Sequence, residues 1–206
     1  MKLSHLIVLT GLLTSVATRL QAATETFDFK DPKGVNNAVF KLDAPLESIN
    51  GSASGITGTV VFDPENPGAL TGKIVVASES LMVPNPLQKE HLHGTNWLDV
   101  TTYPEISFVS KSFANVQTAG NVTTGDITGT FTLKGVSKEI TTPVKLTYLK
   151  DKLSARVPSL KGDLLVLRAN FTINREEYNI QPGQYEDKVS PTIDLSLSIA
   201  GAAIQP

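Results

Sequence analysis

A chain of 206 residues with 18 basic and 20 acidic side chains carries a net charge of −2. That balance disfavours nucleic acid as a partner, since phosphate binding needs a basic surface that releases counterions. The chain has no cysteine, which excludes thiol catalysis, zinc–thiolate centres, iron–sulfur clusters and disulfide staples.

The first element is a targeting segment. MKLSHLIVLTGLLTSVATRLQAA has a basic start at Lys2, an apolar run from Leu6 to Ala17 and small residues at Ala22 and Ala23. This is the layout of a secretory signal peptide cleaved near Ala22, and the apolar run is too short and too Thr-rich for stable membrane insertion. Residues 1–22 are therefore read as a leader and 23–206 as a single domain, periplasmic or secreted. Removing the leader takes Lys2 and Arg19 but no acid, so the mature chain carries 16 basic and 20 acidic residues, a charge of about −4. Attachment to anionic lipid heads is disfavoured on the same ground.

From there the chain alternates with period two, the mark of antiparallel strands with one buried face. Short pieces around Phe27–Phe29 and Val39–Leu42 come first, followed by Ile56, Gly58, Val60 and Phe62 on one face. After the turn DPENPG, Leu70, Gly72, Ile74 and Val76 repeat the pattern. The segment Ile106–Phe113 is a strand, and SFANVQTAGNVTTG reads as a long turn before Ile127, Gly129, Phe131 and Leu133. Ile140 to Tyr148, Leu165 to Ile173 and Ile193 to Ile199 complete eight or nine strands, with QPGQ as the last turn. This count suits a closed up-and-down barrel or a two-sheet sandwich. Glycines on the inward faces at Gly58, Gly72 and Gly129 favour the barrel, because interior glycine marks places where a sheet curls.

One stretch breaks the alternation. In VPNPLQKEHLHG, Asn85 is a good N-cap, Pro86 suits the first helical position and Gln88 can complete a capping box. Gly94 is expected to end the helix in the left-handed conformation. The spacing predicts a helix over Pro86–His93.

That helix bears on the histidines. His91 and His93, with Trp97, crowd into seven positions, and on a strand the two rings would share a face and could chelate. Two residues apart on a helix, they diverge by about 200°. Glu90 and Asp99 are possible carboxylate ligands, but nothing in their spacing singles them out. Glu176 and Glu177 are adjacent and point to opposite faces, unsuited to paired acid–base work. No nucleophile elbow, Walker sequence or dinucleotide fingerprint is present. The expectation is a protein with no catalytic residue, no metal and no cofactor.

What the residues support is a container. An eight-stranded barrel is wide enough either to fill itself or to enclose one small ligand, and the inward faces carry aliphatic and aromatic side chains with few charges. Periodicity leaves hollow and solid equally open.

Three segments in this order, EHLHGTNWLDVTTYPEISFVS (Glu90–Ser110), GDITGTFTLKGVSKEIT (Gly125–Thr141) and INREEYNI (Ile173–Ile180), resemble the YceI-like family of small exported bacterial proteins. The resemblance runs from about Gly55 to Ile199. It implies an all-β fold, an extended antiparallel lipocalin-like barrel with one short helix near one end. It also implies one long amphiphile, a polyisoprenoid or fatty-acid derivative, bound along the axis, with no catalytic residues. The chain departs from the family pattern at Gln88-Lys89, where Arg-Asp is common, at His93-Gly94, where Arg-Ser is favoured, and at Trp97, a phenylalanine position. The stretch GVNNAVFKLDAPLESING matches poorly.

The expected lining is Phe62, Ile74, Val76, Phe108, Phe131, Leu133, Phe171 and Ile173, with Leu92, Trp97 and Tyr178 near the mouth. Two other readings stand beside it: an interaction or stress-response module with a filled core, and an enzyme using His91. Edge strands and an exposed mouth would permit a homodimer.

Overall fold

The computed structural model describes residues 24–31 and 33–205. The leader, its cleavage site and the expected export signal lie outside the described residues.

Among the described residues, eleven strands form one antiparallel sheet. They are β1 (Glu25–Asp28), β2 (Asn37–Asp43), β3 (Ser48–Ala53), β4 (Ile56–Phe62), β5 (Thr71–Ala77), β6 (Leu81–Met82), β7 (Glu105–Ala119), β8 (Val122–Leu133), β9 (Val136–Leu149), β10 (Gly162–Asn174) and β11 (Thr192–Ile204). Eleven reduces to eight staves, because the first three staves are each broken in two. β1 pairs with β4 while β2 pairs with β3, and both β1 and β2 lie along the same edge of β11. β5 and β6 continue each other in the same way beside β4 and β3. The ring closes where Asp28 pairs with Ala202. The fold is thus the eight-stranded up-and-down barrel, and the sandwich is excluded.

The alternating faces point as the periodicity implies: Ile127, Gly129, Phe131 and Leu133 are buried, while their neighbours are partly or fully exposed. Two glycines show why the wall curls. Gly58 has φ +128°, and a Cβ there would meet the Lys73 carbonyl oxygen at 2.1 Å. At Gly129 a Cβ would sit 2.4 Å from the Phe108 ring, which covers the bare backbone.

One long turn is not a turn. β7 runs through SFANVQTA to Ala119, and only Gly120-Asn121 links it to β8. The polar run reads as a loop because β7 carries two register shifts, and Asn115 adopts φ 53° with its amide donating to Asp126 at 2.7 Å. Bulges place Asn inside strands by the same conformational tolerance that places it in turns.

The break between β1 and β2 is held by a fully buried side chain. Asn36 Nδ2 donates to the carbonyls of Phe29 and Ala200 at 3.0 Å each, and Oδ1 accepts from Ala200 N at 2.9 Å. Arg156, from the short helix α2 (Leu153–Arg156), also donates to Asn36 Oδ1 and pairs with Asp31 at 2.8 Å.

The end of the barrel that holds β1 also holds a buried acid. Tyr148 OH donates to Asp163, and Asp151 N donates to the other Asp163 oxygen at 2.7 Å. Glu25 faces this group with one carboxyl oxygen buried and unpartnered among the described residues. Burial first, and the Asp163 charge second, raise the Glu25 carboxyl above its ordinary 4.5.

Two outcomes are expected. Asn36→Ala strands one backbone donor and two carbonyls at the seam and lowers stability by about 3 kcal/mol in urea unfolding. The raised Glu25 carboxyl favours the fold at low pH and loses that advantage as pH rises through its folded value. Glu25→Gln therefore has a higher thermal midpoint than the wild type near neutrality, and the difference closes below the ordinary value of 4.5.

Candidate functional site

The interior divides into two parts. At the end that holds β1, the core is solid: Phe27, Phe62, Leu146, Leu165 and Ile199 are at most 1% exposed. The Phe27 and Phe62 rings sit 6.2 and 6.3 Å from the ring of Tyr148. Beyond this floor a cavity of about 800 Å³ runs to the opposite end. Strand β11 shows the transition: Ile199 is buried, whereas Leu197, Leu195 and Ile193, on the same inward face, keep accessible surface turned to the lumen. Phe108 and Phe171 do likewise. The interior is therefore hollow in one half and filled in the other.

The hollow follows from side-chain size. At its middle level the inward positions are Ala38, Gly72, Ser110, Thr142 and Ala169, too small to meet across an eight-stranded lumen. Ser110 spends its hydroxyl on the wall, accepting from Gly72 N at 2.7 Å and donating to Gly72 O at 3.2 Å, so it presents little polarity to the cavity.

Nine of the eleven expected lining residues border the cavity. Ile74, Val76, Phe108, Phe131, Leu133, Phe171 and Ile173 form the wall, and Leu92 and Trp97 stand at the mouth. Phe62 and Tyr178 do not. Phe62 belongs to the floor, and Tyr178 is buried behind Phe131, edge-on with ring centroids 5.7 Å apart. Alternation identifies an inward face but carries no information on depth along the axis, and that misplaces Phe62. Residues not singled out include Phe40 and Leu42 of β2, Val144 of β9 and the inward face of β11. Their alternation is equally plain in the sequence.

The mouth lies among three pieces: the β2–β3 hairpin, the segment that carries helix α1 (Pro86–His93), and the loop from Arg175 to Pro191. The helix has the expected bounds, and the Asn85 side chain accepts from Leu87 N at 2.9 Å and Gln88 N at 3.2 Å. Gly94 is not left-handed. Its φ is −69° in extended backbone, and the left-handed turn falls at Asp99, φ 49°, whose N–H donates to the Gly94 carbonyl at 2.9 Å.

The two histidines do different things. His93 Nε2 donates to the Leu81 carbonyl at 2.8 Å and ties the helix to β6, while His91 is exposed on the cavity rim. Glu176 accepts from Gly183 N at 2.8 Å, and Glu177 pairs with Lys138 at 3.1 Å. Rim polarity comes from Glu47, Gln88, Glu90, His91, Gln181 and Lys188. Such an arrangement can solvate a polar head while the interior takes an apolar body.

The mouth is organised by Arg175, a residue that the sequence alone does not single out. It is 0% exposed. Its guanidinium donates to five carbonyls, Ser190 at 3.1 Å, Ile180 at 2.7 Å, Gln181 at 2.5 Å, Gln184 at 2.6 Å and Val189 at 3.1 Å. No carboxylate among the described residues pairs with it. The charge is solvated by backbone dipoles, and Trp97 adds its ring face 5.8 Å away, itself 6.3 Å from the ring of Tyr185. Burial pushes the guanidinium below its usual value, and Glu176 and Glu186 partly offset this.

Arg175→Ala removes all five donors and is expected to lower stability by at least about 3 kcal/mol in urea unfolding. Arg175→Lys recovers less than half of that, since an ammonium lacks the planar fork that spans these carbonyls.

With this geometry in hand, the chain can be set beside known proteins. The YceI-like domain family matches residues 10–200. A UPF0312 protein of Pseudomonas savastanoi pv. phaseolicola is 31% identical over 157 residues, covering 74% of this chain and 73% of that protein. In three dimensions the chain is similar to BcnA of Burkholderia cenocepacia, with TM-score 0.62 and 20% identity over 80% of this chain and 94% of that one. It is also similar to a polyisoprenoid binding domain from Saccharophagus degradans implicated in plant cell wall breakdown, with TM-score 0.63 and 11% identity over 88% of this chain and 99% of that one. Fold, motifs and family match agree, and the chain belongs to the YceI-like domain family.

Proposed function

We propose that this chain is an exported, non-catalytic binding protein that holds the apolar body of one long amphiphile, a polyisoprenoid or fatty-acid derivative, with its head at the rim. One observation carries the reading: a cavity of about 800 Å³, blind at one end, largely apolar along its walls and charged only at its mouth. The Saccharophagus domain of the same fold, described as polyisoprenoid binding, supports it.

The physical case rests on magnitudes. A methylene taken from water into such a lining contributes about 0.8 kcal/mol, so a tail of a dozen carbons supplies enough to hold without any strong polar anchor. Water occupies about 30 Å³ in the liquid, so the cavity has room for roughly two dozen groups of that size. This suits one chain and not a bilayer-spanning bundle of them. The leader and the acidic mature charge favour a periplasmic or secreted carrier that meets membranes without electrostatic adhesion. A filled interaction module is the weaker reading, because nothing else accounts for the empty half of the lumen. The His91 enzyme is weaker still: the neighbouring His93 is occupied with a backbone carbonyl, and His91 itself stands exposed on the rim.

The test combines occupancy with a plug. Native mass spectrometry of protein purified without detergent is expected to show an adduct that organic extraction releases as a long-chain lipid. Ala169→Trp fills the middle of the lumen from β10. It is expected to abolish the adduct and the binding of fluorescent fatty-chain probes while leaving the thermal midpoint equal to or above that of the wild type. Unchanged probe binding in the plugged variant would sink the proposal.

A further inference from the structure

The floor of the cavity is built as a stop, and we propose that the aromatic cluster Phe27–Phe62–Tyr148 sets the length of chain that the barrel accepts. This inference rests on the lipid-binding reading above and adds to it a limit on the ligand. The cluster spans β1, β4 and β9 and lies below the lowest lining residues, among them Val60, Leu70 and Val144.

Three features make the floor rigid. Phe27 and Phe62 are 0% and 1% exposed, so neither ring has free space to swing into. Tyr148 is anchored through its hydroxyl to Asp163, which the Asp151 N–H holds from the other side at 2.7 Å. Phe29 adds a further ring against Gly201, where a Cβ would come within 2.6 Å of it. Rings held this closely do not open a tunnel by rotamer change.

The chemistry behind the floor also refuses a tail. Beneath Tyr148 lie the buried Asp163 and the Glu25 carboxyl, and an alkyl chain that reached them would strip their remaining polar contacts without replacing them. Below the floor the barrel is thus closed by packing and hostile by polarity. Each carbon gained above it is rewarded, and each carbon beyond it must stay outside the mouth in water. The depth from Leu167 near the floor to Ile173 near the mouth is six strand steps, about 20 Å along β10. A chain folded to fill about 800 Å³ marks the ceiling, since one extended over that length leaves volume unused.

The experiment is a competition. Wild-type protein is incubated with an equimolar series of straight-chain fatty acids, from about twelve to about thirty carbons, and the bound distribution is read by native mass spectrometry. Affinity is expected to rise by up to roughly fourfold per carbon and then level off abruptly near two dozen carbons. Phe62→Ala lowers the floor and moves the break to longer chains by roughly four carbons, about the volume one benzyl group vacates. Val144→Phe, at a residue that borders the cavity, raises the floor and moves the break to shorter chains. A break present in the wild type that neither variant moves overturns the length gauge and leaves lipid binding standing. A rise with no break overturns the gauge as well. No binding at any length overturns both the gauge and the lipid reading.

Discussion

Closure of the ring crosses a gap between β1 and β2, and one amide side chain spans it. Eight staves leave no free edge only if the first stave meets the last, and here the first stave is broken just where it must do so. The chain leaves β1 at Asp28, makes a loop, and rejoins the same edge of β11 at Asn37. Over that gap the backbone ladder is missing, and Asn36 replaces it by mimicking a strand: its amide offers one acceptor and two donors to Ala200 and Phe29. An apolar residue at 36 would leave those groups buried and unpaired, and the seam would behave as an exposed edge. The Asp31 loop, which Arg156 holds from the outside, delivers Asn36 to that position.

The breaks in the first three staves also explain how one barrel holds both a solid core and a cavity. Below the breaks, β1 with Phe27 and the end of β4 with Phe62 border the part that large aromatics fill. Above them, β2, β3 and β6 form a separate wall, and β6 is too short to pair with β7. The wall is completed there by α1, tied to β6 through His93. The helix stands where a strand would continue, and the small inward residues Ala38, Gly72 and Ala169 leave the space beside it unfilled. The cavity is therefore a consequence of topology as much as of composition.

How much of this was legible in the sequence follows the range of each interaction. The inward faces of β8, β9, β10 and β11 and the bounds of α1 were plain, because alternation and capping are local. The sign of Gly94 was not, since the left-handed position passed to Asp99 once the chain had to turn toward Tyr103. The bulged end of β7 reads as a loop in sequence because Asn and Thr serve both roles. Depth along the axis was illegible: Phe62 and Ile74 look alike in sequence, and only register around the closed ring separates floor from wall. Arg175 was the deepest omission. Its partners are carbonyls, which every residue possesses, so no side-chain pattern advertises them.

That last point bears on why the mouth stands open. An opening into an apolar lumen tends to collapse, because apolar rims lower their free energy by meeting each other. Here the loop from Arg175 to Pro191 is held by hydrogen bonds that converge on a single cation, and that cation sits beside the cavity and not across it. Its five acceptors fix the loop in one shape, so Trp97 and Tyr185 can stack on each other at the rim without closing over the lumen. Lys134 adds contacts to the carbonyls of Asn96 and Asn179, and Gln181 adds another to Asn96 at the rim. Polar bonds are directional, and hydrophobic contact is not. A mouth that must stay open beside an unfilled apolar space therefore needs the former for its frame and can use the latter only for its walls.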